Sequence, residues 1–214
     1  MPLMTTRNSP FSVRAMIFID AGYFTEHWVE NECKIPKTMF NFGDFSKWIS
    51  GKTSFPELDT VRLIRTYYYD GLPEPRHNQK YKEQTLFHDY LNYTFPNYEV
   101  RTGQLIKRNG EWVQKGVDAI LALDMIDKAY TDQYDVAILV GGDLDHFPAV
   151  QTVKNIGKEV YGVYYGGSFS QKLINEFDLK HILDKKNEGG LALHKPFFQN
   201  YKDSLTQKSK SNNQ

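Results

Sequence analysis

Cysteine is almost absent from this chain: Cys33 is the sole one in 214 residues. No internal disulfide framework can form, and a reducing cytoplasm is the expected compartment. Long apolar runs are missing too. No stretch approaches the roughly 20 residues needed to span a bilayer, and Met1-Pro2-Leu3-Met4-Thr5-Thr6-Arg7 does not lead into the apolar core of a secretion signal. No membrane association is therefore expected. Nor does charge of one sign dominate, since Lys+Arg and Asp+Glu balance at 26 each. A nucleic-acid role must then rest on local features and not on bulk charge. The six histidines lack His-Glu-x-x-His or Cys/His spacing, which argues against a catalytic zinc.

What is present suits one α/β domain with additions: 40% of residues are hydrophobic, enough for a full core. Strands and helices alternate along the chain. Val13 to Asp20 reads as a first strand, followed by a helix around Tyr23 to Asn31; Asn41 caps a second helix through about Ile49. Val61 to Tyr69 fits a second strand, Asn78 to Tyr93 a helix, and Glu99 to Leu105 a third strand. Arg108-Asn109-Gly110-Glu111 carries a strong hairpin signal, so Gly103 to Gln114 should form a projecting β-ribbon. A helix from about Asp118 to Tyr130 precedes strands at Asp135 to Gly141 and Lys158 to Tyr165. Three parts are expected: an arm at residues 1–12, a domain at 13–184, and a polar extension at 185–214, disordered after residue 198.

Three acidic places carry chemistry. Val136 to Val140 is a run of five apolar residues, as in a strand buried on both faces; Gly141 and Gly142 end it, and Asp143 and Asp145 follow one residue apart. At the carboxyl edge of a parallel sheet such side chains face the crevice where ligands bind. Met16 to Asp20 is a second apolar strand ending in a carboxylate. Asp118 sits in the first turn of a helix that should begin at the same edge. Each has a plainer reading: Asp145 as the N-cap of a helix His146 to Ile156, Asp143 as a turn residue, Asp118 as complement to a helix dipole. Their coincidence at one edge favours a divalent metal held by oxygen, Mg²⁺ or Mn²⁺. Beside them, His146 is the one histidine worth watching, although a surface or packing role is favoured for it.

These segments resemble the NYN domain family of the LabA-like type, within the PIN-like nuclease superfamily. The resemblance rests on the strand ending in Asp20, on Lys115-Gly116-Val117-Asp118 with Asp124 behind it, and on the strand-Gly-Gly-Asp-x-Asp-x-Phe segment Val136 to Phe147. Gly157-Lys158-Glu159-Val160 resembles the family's Gly-Lys-x-Val lead-in to the last core strand, and the likeness covers about residues 14 to 183. It implies a doubly wound parallel sheet of order 3-2-1-4-5 flanked by helices. Two departures stand out. Tyr23 occupies the place of a common Asn, and Gly141-Gly142 replaces a Ser-Gly pair before Asp143. Both concern groups that orient ligands and substrate.

The expected function is a metal-dependent nuclease, in first place an endoribonuclease. Asp20, Asp118, Asp143 and Asp145 would gather one or two Mg²⁺ or Mn²⁺ ions that activate a water for attack on phosphorus. Asp124, six residues beyond Asp118 and roughly 9 Å deeper along the helix, is read as supporting through water or Lys115; Tyr23 is supporting as well. Lys115 is itself a candidate phosphate contact. RNA is the expected partner, with DNA and self-association left open. The alternatives are a non-catalytic RNA-binding or partner-binding module and, behind it, a nucleotide-sugar transferase built on Asp143-Leu144-Asp145. Arg62, Arg65, Arg76, Lys80, Lys82, Arg101, Lys107 and Arg108 accumulate mid-chain and read mostly as mixed solvated surface. Tyr67, Tyr68 and Tyr69, with Tyr164 and Tyr165, read as core residues in preference to a base-stacking platform. Ser168-Phe169-Ser170 is placed to bound the cleft, and Leu191 to Phe198 to dock back or bind a partner.

Overall fold

A computed structural model describes residues 12–26, 28–30, 33–34, 36–52 and 61–183. The expected N-terminal arm, the polar extension and its Leu191 to Phe198 segment lie outside the described residues. Along the chain come β1 (Val13–Asp20), α1 (Ala21–Glu26), a small hairpin of β2 (Val29–Glu30) and β3 (Cys33–Lys34), α2 (Phe42–Lys52), β4 (Val61–Pro73) and α3 (Asn78–Thr94). Then follow β5 (Tyr98–Arg108), β6 (Glu111–Lys115), α4 (Val117–Tyr130), β7 (Val136–Val140), α5 (Phe147–Asn155), β8 (Glu159–Tyr164), α6 (Gln171–Glu176) and β9 (Leu179–Ile182). Seven strands form one sheet in the order β6-β5-β4-β1-β7-β8-β9. Every neighbour pairs in parallel except β5 with β6.

The inner five strands reproduce the expected 3-2-1-4-5 order, and the physical cause is burial. β7 is buried at all five positions and β1 from Ala15 through Asp20, as strands covered by helices on both faces must be. Helix α4 covers one face with Val117, Leu121, Met125 and Ala129, spaced four apart along a single stripe. The other face packs on an aromatic cluster in which Phe24, Phe40 and Phe42 surround Trp28, Phe45 packs on Phe24 and Phe40, and Phe42 meets Tyr68 and Phe87. Alternation along β4 sends Tyr67 and Tyr69 to the α4 side and Tyr68 to the aromatic side. All three are at most 3% exposed, so they are core residues and unavailable for stacking on a base. The ribbon closes at Asn109 and Gly110, both at positive φ (49° and 90°), the left-handed pair that a two-residue turn between twisted strands requires.

Some local expectations change. The helix expected over Tyr23 to Asn31 is limited to Ala21–Glu26, because the chain turns into the β2–β3 hairpin once Trp28 is buried under Phe24 and Phe40. Beyond β8, helix α6 and parallel strand β9 extend the sheet. Asp145 is not a helix N-cap: it lies within a 3-10 turn, Leu144–His146, and α5 starts only at Phe147.

The start of β1 is tied to the start of β7 by Arg14. Its guanidinium donates to both Asp135 carboxylate oxygens, at 3.1 and 2.7 Å, and its backbone N–H donates to Oδ2 at 2.8 Å. These bonds to Arg14 hold the Asp135 carboxyl below its ordinary range. A depressed acid stabilises the fold above its unfolded pKa, near ~3.9, and loses that contribution as pH falls through the folded value. Asp135→Asn is therefore expected to cost about 1–2 kcal/mol at neutral pH, a figure discounted for its partial exposure. In urea unfolding the difference from wild type should shrink below about pH 4. A gap that stays constant with pH would show that the pair adds no charge-dependent stability.

Candidate metal centre

Strands β1 and β7 lie side by side, with Ile19 opposite Val140, so both chains leave the sheet at the same edge. Asp20 is the last residue of β1 and is 3% exposed. Asp143 follows β7 after the two glycines. Asp118 enters from α4, whose first turn faces the same edge. Asp20, Asp118 and Asp143 line one cleft of about 650 Å³. Asp20 accepts the Tyr23 N–H at 3.2 Å on one oxygen, and on the other it meets His146 Nε2 at 3.2 Å.

His146 is fully buried, a role for which the sequence offered only its position directly after Asp-x-Asp. One carboxylate oxygen each from Asp20 and Asp118 and one ring nitrogen of His146 lie within 4.8 Å of one another. Asp20 can only accept when ionised, so Nε2 carries the proton in this contact, and the buried Nδ1 has no hydrogen-bond partner. Burial works against charge on the imidazole, but the hydrogen bond and charge of Asp20, with Asp118 and Asp143 behind it, raise its pKa overall. Asp118 and Asp143 are both shifted upward, first by desolvation and then by the charge of Asp20, with His146 partly offsetting the repulsion. The buried Asp20 carboxylate with the crowded Asp118 and Asp143 carboxylates beside it forms a donor set that fits a divalent ion, with His146 holding Asp20 in place. These oxygens suit Mg²⁺ or Mn²⁺.

The remaining candidates separate. Asp145 is exposed but near enough for its charge to help raise the Asp118 pKa. Asp124 belongs to another group: it accepts from Tyr69 at 3.0 Å and from the buried Lys128 at 3.1 Å, with Arg101 at 3.5 Å. Those partners stand where Lys115 had been expected. Lys115 itself is exposed at the end of β6 and does not line the cleft. Lys37 and Lys80 do line it, together with Asp70. The buried Asp70 carboxylate meets Lys37 at 2.9 Å, His88 at 3.3 Å and Gln114 at 3.1 Å, and also binds Gln84.

The two departures from the family pattern meet beside this centre. The Tyr23 hydroxyl donates to the Ser168 carbonyl and accepts from Tyr165 N at 2.9 Å. It thereby fills the space beside Gly142, where a Cβ would stand 2.5 Å from that hydroxyl and 2.8 Å from Ser168 O. A Cβ on Gly141 would press on the His146 ring at 3.3 Å. The Ser168 to Ser170 loop does bound this edge, with Ser170 N donating to Gly142 O at 2.8 Å.

An open parallel sheet with acidic groups converging at its carboxyl edge is the arrangement of PIN-like nuclease domains. The NYN domain profile matches residues 14–184, and the chain belongs to that family. Membership indicates a nuclease-like, RNA-related function. The fold is also similar to the crystal structure of a protein of unknown function from Vibrio parahaemolyticus, with a TM-score of 0.53 and 23% identity over 81% of this chain and 94% of that one. No curated protein matches. No helix among the described residues is long and apolar enough to cross a membrane.

Two outcomes are expected here. Gly142→Ala should cost about 1–3 kcal/mol by overpacking. Combined with Tyr23→Phe, which removes the hydroxyl, the double variant should unfold later than additivity gives, by at least ~0.5 kcal/mol in a denaturant double-mutant cycle. Strict additivity would mean that the two positions do not share this space. Asp143→Asn should leave the metal-free protein as stable as wild type or slightly more so, because ionising an acid whose folded pKa is raised costs stability as pH climbs through that window. Mn²⁺ should raise the melting temperature of wild type and move that of Asp143→Asn little; equal shifts would remove Asp143 from the ligand set.

Proposed function

We propose that this chain is a cytoplasmic, divalent-metal-dependent endoribonuclease of the LabA-like type that hydrolyses RNA phosphodiester bonds. The observation that supports the reading is the meeting of the Asp20 and Asp118 carboxylates with the His146 imidazole within 4.8 Å, on a cleft that Asp143 also lines. Asp20, Asp118 and Asp143 would hold the ion, with Asp145 at the exposed rim. When bound, Mn²⁺ or Mg²⁺ supplies positive charge to the phosphoryl oxygens and makes water a competent nucleophile at neutral pH. Asp20 is held for this task by two bonds, from Tyr23 N–H and from His146, so its oxygens are fixed before substrate arrives. The Tyr23 hydroxyl ties the Ser168 loop to the mouth. Water would attack phosphorus directly while the P–O bond to the leaving nucleotide breaks, so no covalent enzyme intermediate is needed.

A second reading, an RNA-binding module without turnover, draws on Tyr23. Its hydroxyl is committed to Ser168 and Tyr165, which leaves no side-chain amide there to position substrate. A nucleotide-sugar transferase built on Asp143 and Asp145 would leave the placement of Asp20 and Asp118 without a purpose. Mixed RNA and DNA oligonucleotides incubated with Mn²⁺ or with EDTA decide among them. RNA should be cut only with metal, and Asp143→Asn should lower kcat by roughly 100-fold or more. Metal-independent RNA binding with no cleavage would instead establish the binding module.

A further inference from the structure

The cleft continues past the acidic centre, and its far end is of opposite character. Strand β6 runs along the wall and leads directly into α4, so Trp112, Gln114 and Asp118 succeed one another along it. Trp112 and Gln114 lie two apart on one face of the strand. The half-buried Trp112 ring lines the cleft. His77 meets the indole at 5.0 Å between centroids and 84° between planes, and Lys80 Nζ lies 4.6 Å from its centroid. His77 and Lys80 are three residues apart at the start of α3, so they approach from the same side. Both contact the indole from the α3 side.

Gln114 is fixed in its turn. Asp70 can only accept, so Gln114 and Gln84 both turn their amide N–H groups toward it. Their carbonyl oxygens remain to receive a donor. From Trp112 to the start of α4 is five residues, at most about 17 Å of extended chain. That is about five nucleotides at the stacked rise of 3.4 Å, and fewer if the nucleic acid is extended. A fixed aromatic ring, an adjacent ammonium and amide acceptors, continuous with carboxylates that would hold a metal, are the parts of a groove for single-stranded nucleic acid.

We propose that Trp112 is a stacking platform for a base of a single-stranded nucleic acid whose neighbouring phosphate is met by Lys80, a few nucleotides from the bond at the acidic centre. The assignment rests on the nuclease reading for the occupant of the acidic end, but its own contacts do not depend on turnover. It gives a role to the hairpin residues that line the cleft. It also makes the enzyme selective for unpaired strands, because a base inside a duplex presents no free face to a ring.

The chain has three tryptophans. Trp28 is buried, and Trp48 packs on Phe45 and His181, so fluorescence quenching by a bound base reports on Trp112. The full-length protein in EDTA is titrated with a labelled 12-nucleotide oligouridylate and with oligothymidylate, reading both anisotropy and intrinsic fluorescence. Wild type should bind with quenching. Trp112→Phe should bind within about threefold but lose the quenching, and Trp112→Ala should bind roughly 5- to 150-fold more weakly. Lys80→Ala should weaken binding and lower the salt slope by about one. In Mn²⁺, Trp112→Ala should raise KM with kcat nearly unchanged.

If wild type cleaves RNA while Trp112→Ala binds and cleaves equally well, the stacking site is overturned and the nuclease reading stands. If quenching and its loss are seen without Mn²⁺-dependent cleavage, the nuclease reading falls and the groove stands. Absence of any oligonucleotide binding, or equal quenching in Trp112→Phe, overturns the site; a protein occupant of this surface would be one cause. Melting curves check the fold of each variant, and if Trp112→Ala unfolds, the Trp112→Phe and Lys80→Ala results decide.

Discussion

The parallel pairing of β1 with β7 is the constraint on which the rest depends. Because both strands are buried on both faces, their register is fixed by packing, and Ile19 opposite Val140 brings the two chain exits to one level of one edge. Asp20 is thereby set near the segment that carries Asp143. Helix α4, held across the sheet by Val117, Leu121 and Met125, adds Asp118. None of these carboxylates would be placed beside another by local preference.

Crowding like charges at an edge costs stability, and the fold offsets part of that cost with one buried imidazole. His146 gives Asp20 a hydrogen bond and places compensating charge between the acids. The space for it comes from Gly141, whose missing Cβ leaves the ring room. Gly142 does the same for the Tyr23 hydroxyl. The family's common Asn and Ser are therefore replaced by a different steric solution on each flank of the centre. Losing those two groups does not leave a void.

A second buried carboxylate, Asp70, shows the same economy without converging on the acids. It is surrounded by Lys37, His88, Gln84 and Gln114; desolvation pushes its pKa up, and the hydrogen bonds and charges of His88 and Lys37 bring it down overall. The result is a rigid polar floor between the acidic centre and the hairpin. One cleft thus carries two electrostatic regimes, an acidic end whose protons are held more tightly and a cationic end whose acid is fully satisfied.

Read alone, the sequence determined the alternation of strands and helices, the inner strand order through family likeness, the Asn109-Gly110 turn, and Asp20, Asp118 and Asp143 as residues of one edge. Those features are local or periodic: buried strands need unbroken apolar runs, and tight turns need residues that accept positive φ. What tertiary structure alone decided were partnerships across long sequence separations. His146 with Asp20, Tyr23 with Gly142, Asp124 with Tyr69, and Trp112 on the cleft beside Lys80 depend on which side chains meet after the sheet is assembled. No periodicity records that. A histidine following Asp-x-Asp looks the same in the chain whether its ring turns to solvent or inward, and only packing against Gly141 and Asp20 settles the direction.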